Sequence, residues 1–79
     1  MNKKTIYDYS RLKRKIIEVC GTQYEFAKRI GLSDRSVSFK MQNKRDWKQR
    51  EIEAAIEVLG IARNDIPKYF YVPYIVIIE

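Results

Sequence analysis

Residues 23–43, QYEFAKRIGLSDRSVSFKMQN, decide the fold. They read as two short helices joined by one tight turn. Thr22 and Glu25 form a capping-box pattern at the start of the first, and Phe26, Ala27 and Ile30 make one apolar face on it. Gly31 supplies the left-handed conformation that a sharp turn demands. Ser33 then caps a second helix, with Val37 and Met41 one turn apart on its inner side and Arg35, Ser36, Ser38, Phe39 and Lys40 directed elsewhere. Two helices crossing so closely leave little room. Ala27 is small enough for the crossing, and Val37 is a plug of suitable size to fill it.

The surrounding chain bounds what these helices can serve. With 79 residues there is room for one domain, residues 1–79, of a size that buries only about 60% of its unfolded surface. Hydrophobic residues at 46% and charged residues at 33% describe a chain that folds. Residues 1–50 hold fourteen Lys or Arg against five Asp or Glu, and residues 51–79 hold two against five, so the first part carries +9 and the last −3. A basic half that contains the two short helices points to a polyanion. Cys20 is the one cysteine, which fits a reducing cytoplasm and a small residue at a helix end. Histidine is absent, and no carboxylate cluster or glycine-rich phosphate loop replaces it, so neither an enzyme nor a metal or cofactor site is expected. The N-terminal MNKKTIYDYS lacks a signal-peptide core, and no apolar run is long enough to span a membrane.

Taken in order, residues 5–9 are mostly β-favouring and predict a brief strand or a loose arm. Ser10 is the expected cap of a first helix whose Leu12, Ile16, Ile17 and Val19 face inward while Arg11, Lys13, Arg14 and Lys15 face out. Those four cations oppose the helix dipole, a cost that points to function. Asp46 with Gln49 predicts the cap of another helix, and Trp47 is read as a packing anchor rather than a base-stacking platform. Ile52, Ala55, Ile56 and Leu59 give the cleanest helical stripe, Gly60 closes it, and Glu51, Glu53 and Glu57 form its outer acidic face. Asn64 or Asp65 caps a last turn with Pro67 near its start. Residues 71–78, YVPYIVII, then read as a strand whose edge must be covered, by residues 5–9 or by the same strand of a second subunit. A dimer-forming strand is the preferred reading, and a tail folded back on the helices is the alternative.

Gln23, Ala27, Gly31 and Val37, with Ser33 opening the second helix, resemble the helix-turn-helix of the phage Cro and repressor family, also called XRE. The later KRDWKQREIEAAIEVLGI, with its tryptophan and Gly-Ile connection, is similar to small phage regulators of that group. Two positions depart from the pattern. Lys40 stands where the family has an apolar residue, leaving Phe39 or Met41 to fill the gap, and Asn43 stands where a glycine commonly ends the helix. Asparagine still tolerates a left-handed stop.

The resemblance implies an all-α fold, a compact four- to five-helix bundle of the lambda-repressor-like DNA-binding type with residues 10–60 as its helical core. It implies a cytoplasmic phage or prophage regulator that reads duplex DNA as a homodimer, the helix 33–42 entering the major groove and half-sites lying about 34 Å apart. Arg35 is then the first choice for reading guanine, with Ser36, Ser38 and Lys40 on the same outward surface. Phe39 packs on thymine methyls or fills the core gap, and Asp34 caps the helix or accepts from a cytosine amine. Gln23 holds a phosphate at one end, Ser33, Asn43, Lys44 and Arg45 grip the backbone at the other, and Arg11 and Arg14 lie beside it. A second class stays open: an antirepressor-type module that binds another regulator through its apolar C-terminal segment. Asp34 and residues 71–78 favour it, and the +9 half favours DNA.

Overall fold

The computed structural model describes residues 5–74. Five helices follow one another: α1 (Ser10–Cys20), α2 (Gln23–Ile30), α3 (Asp34–Met41), α4 (Gln49–Leu59) and, after a 3-10 turn at Arg63–Asp65, α5 (Ile66–Phe70). The second is central, packing against α1, α3 and α4, while α5 closes the bundle over α1. Leu12, Ile16, Phe26, Val37, Ala55 and Phe70 are almost or wholly removed from solvent and form the middle of the core.

Short-range signals place the first two joints. The Thr22 hydroxyl accepts from the Glu25 amide at 3.1 Å, and the Ser33 hydroxyl accepts from the Ser36 amide at 3.1 Å. Between them Gly31 takes φ 77°; its amide donates to the Lys28 carbonyl and that of Leu32 to the Ala27 carbonyl, the paired bonds of a Schellman stop. A Cβ on Gly31 would meet nothing within 4 Å, so only the backbone conformation demands glycine. Gly31→Ala is therefore expected to lower stability by about 1–2 kcal/mol, and Gly31→Asn by less, in urea titrations followed by the fluorescence of the lone Trp47.

Several expected details are corrected. Ile17 and Val19 are 48% and 37% exposed, because Leu12 and Ile16 define the buried line and each further residue turns about 100° away from it. Ser10 is the first residue of α1 and not its cap: Tyr9 holds the cap position without a side-chain cap bond, and Asp8 Oδ1, two residues before Ser10, accepts from the Ser10 amide at 2.9 Å and from its hydroxyl at 2.6 Å. Helix α4 does not start on an Asp46–Gln49 box; Glu51 Oε1 accepts from the Lys48 amide at 2.8 Å, and the Asp46 carbonyl is taken by the Lys40 ammonium. Glu51 accordingly leaves the outer acidic face and turns toward Lys40.

No strand of regular length forms among the described residues. A single antiparallel bridge joins Tyr7 to Pro73, flanked by Asp8 N–H to Val72 O and Tyr74 N–H to Ile6 O, both 2.7 Å. On the other edge of Tyr7, the Asn43 amide acts as a substitute peptide: its Oδ1 accepts from Tyr7 N–H at 2.8 Å and its Nδ2 donates to Tyr7 O at 2.9 Å. Asn43 itself has φ 63°, the left-handed stop that its position predicts. Residues 5–9 and 71–74 thus meet within one chain, and the rest of the expected strand, 75–78, lies outside the described residues.

Candidate functional site

Helix α3 presents its surface around Phe39. The Arg35 guanidinium lies 5.3 Å from the ring centroid, that of Arg45 5.0 Å, and the Lys44 ammonium 5.8 Å. All three cations are exposed while the ring is half-buried, so one aromatic gathers positive charge from both ends of the helix. Lys44 and Arg45 reach it because their amides fold back onto the Phe39 carbonyl after the left-handed Asn43.

Beside this cluster the start of α2 is stitched to α3. Gln23 Nε2 donates to Ser38 Oγ at 2.8 Å and to Asp34 Oδ1 at 3.2 Å. Both amide protons are thereby directed to the protein. Gln23 and Ser38 line a hollow of about 300 Å³ together with Tyr9, Ser10, Lys13 and Met41. Ser36 shares a hydroxyl–hydroxyl contact of 3.0 Å with the cap Ser33, leaving Asp34 exposed at the N-terminal end of α3.

Lys40 is not on this surface, contrary to the sequence expectation. Only 4% of the residue is exposed, and its ammonium meets Glu51 Oε1 at 2.8 Å, the Asp46 carbonyl at 3.0 Å and the Trp47 ring at 5.9 Å. Its aliphatic stem takes the apolar place in the helix packing, and the charge is neutralised at the end of that stem. Burial pushes the Glu51 carboxyl up, but the Lys40 hydrogen bond, the Lys48 amide and both ammonium charges outweigh it and hold the group below its ordinary value.

The Asn43 side chain is likewise turned from the surface to the Tyr7 backbone. Arg11 and Arg14 are exposed but share a hollow with Asp8, Lys68 and Val72, on the α5 side. It is Lys13 that joins Gln23 and Ser38; its spacing of three from Ser10 places those two on one helical face, a signal the sequence reading passed over. The structure therefore brings together Gln23, Ser33, Asp34, Arg35, Ser36, Ser38, Phe39, Lys44 and Arg45, adds Lys13, and removes Lys40, the Asn43 amide, Arg11 and Arg14 from that cluster.

No helix among the described residues is long and apolar enough to cross a membrane. Among curated proteins none matches the chain. Among solved structures, the modulator of repression (MOR) of the temperate bacteriophage TP901-1 from Lactococcus lactis is similar at 55% identity, over 82% of this chain and 88% of that one, with a TM-score of 0.73. Residues 5–72 match the model of the family described as protein of unknown function (DUF739). The chain belongs to the DUF739 family and is similar to a phage regulatory protein.

Proposed function

We propose that this chain is a phage regulator that modulates repression by binding a protein partner, the repressor, rather than by catalysis. The likeness at 55% identity to a modulator of repression carries this reading. The surface of α3 agrees with it. A duplex reader needs phosphate donors at the start of α2 and cations along α3. Here Gln23 spends its amide protons on Asp34 and Ser38, Lys40 is withdrawn into the core, and Asp34 sets a carboxylate where phosphate would approach. A protein surface of mixed charge is a better complement to that arrangement.

A second reading keeps α2 and α3 as a helix-turn-helix that binds operator DNA, singly or as a homodimer. Arg35, Lys44 and Arg45 around Phe39 favour it. One experiment separates the two. The purified chain is offered a random duplex pool near 150 mM salt, and separately a repressor–operator complex of the same phage. Altered operator occupancy by the repressor, with no palindrome enriched by the chain alone, is the expected result. An enriched palindrome with half-sites about one helical turn apart would overturn it in favour of DNA reading.

A further inference from the structure

On the side of the molecule built from residues 7–9, the 46–47 loop, Ile52 of α4 and the end of α5, a hollow of about 180 Å³ is lined by Tyr7, Tyr9, Trp47, Phe70 and Tyr71, with Ile52 and Asp46. Five of these seven are aromatic. Tyr9 and Phe70 are buried, whereas Tyr71 is 51% exposed and Asp46 is exposed, which places the buried rings at the floor and the carboxylate at the rim. The rings hold one another at angles: Tyr71 meets Tyr7 edge-on at 6.0 Å, and Trp47 meets Phe70 edge-on at 5.4 Å. Among the described residues the Asp46 carboxylate makes no ion pair or hydrogen bond, although the chain carries sixteen Lys and Arg.

We propose that this hollow receives an arginine side chain of a protein partner. Electron-rich ring faces attract a cation, and a carboxylate at the rim adds charge complementarity. Arginine suits it better than lysine, because a planar guanidinium stacks on rings and gives up its hydration more readily. Phosphate is disfavoured by the same carboxylate. The adjacent Lys40 ammonium does not oppose the guest, since Glu51 at 2.8 Å balances it. The Tyr9 phenol, pushed up to about 12 by burial and then by Tyr7, Asp46 and Tyr71, meets a guest as the neutral hydroxyl.

The inference deepens the protein-binding reading by naming the chemistry of one contact, yet its test needs no repressor. Trp47 is the lone tryptophan, and its indole N–H is buried without an acceptor among the described residues, so that single NMR resonance reports on an occupant. The full chain is titrated with N-acetyl-arginine methylamide and with its neutral citrulline counterpart, at concentrations well below those that unfold proteins. A saturable shift with arginine, about tenfold weaker with citrulline and about fivefold weaker in Asp46→Asn, is expected. Tyr71→Ala, at the exposed rim, is expected to weaken it similarly. Equal response to citrulline, an unchanged Asp46→Asn, or no saturable shift would each overturn the proposal. A repressor that binds while arginine does not would leave the functional reading standing and remove only this pocket.

Discussion

Glu51→Gln is expected to lower the unfolding free energy by about 3 kcal/mol, although it changes one atom and keeps the side chain's shape. The loss comes from Lys40. Its ammonium is nearly sealed from water and, among the described residues, has one anionic partner, Glu51, at 2.8 Å; the Asp46 carbonyl at 3.0 Å solvates it but does not neutralise it. Removing the carboxylate strands a charge where water cannot reach it. Lys40→Met is expected to cost less, about 1 kcal/mol, because the stem still fills the core and Glu51, with 15% of its side chain exposed, keeps solvent and the Lys48 amide. For a domain of 79 residues the whole stability is about 4–12 kcal/mol, so the first variant loses a large share of it.

Acid should erase the difference. The Glu51 carboxyl is lowered in the folded chain from an ordinary value of 4.5, so its contribution is complete above that pH and is lost as pH falls through the folded value. Glutamine has nothing to protonate. Urea titrations of both proteins at neutral pH and at successively lower pH are expected to converge. A constant gap across that window would mean that the pair is not what holds Lys40 in place.

The same pair marks where sequence reading stops. Thr22 with Glu25, Ser33 with Ser36, and Gly31 were legible because each acts within four residues of chain, where hydrogen-bond geometry is set by spacing alone. Charge alone argues for Lys40 facing outward, since its place three residues after Val37 puts it on the inward face of the helical period. What draws it in is Glu51, eleven residues later and on another helix, and no local pattern encodes that meeting. Asn43 shows both cases in one residue. Its left-handed backbone followed from its place at a helix end, whereas its side-chain clamp on Tyr7 spans thirty-six residues. The functional surface divides the same way. Arg35 and Phe39 share α3 and were foreseen together, while the turn of Arg11 and Arg14 toward Lys68 depends on where α5 packs. The aromatic hollow draws on residues 7–9, 46–47, 52 and 70–71, four places in the chain with no common period.

Phe26→Ala is expected to be the most damaging single truncation, costing about 4 kcal/mol. Phe26 has no exposed surface, sits on the helix that packs against α1, α3 and α4, and faces Trp47 at a centroid distance of 6.4 Å. Its removal leaves a void bordered by three helices, each tied down elsewhere, so the walls cannot collapse cheaply onto it. Phe26→Leu retains most of the volume and is expected to cost about 1–2 kcal/mol. Tyr24→Ala, two residues earlier but 61% exposed, is expected to stay within about 0.5 kcal/mol of the parent. Denaturant titration of the Trp47 fluorescence measures all three. The functional consequence follows from position: α2 holds α3 through Gln23, and Trp47 both packs near Phe26 and lines the aromatic hollow. Phe26→Ala should therefore weaken any partner binding in proportion to the unfolded fraction, whereas Asp46→Asn should weaken it with the fold intact. A Phe26→Ala protein that unfolds within 1 kcal/mol of the parent would show that α2 is not the helix on which the other three are assembled.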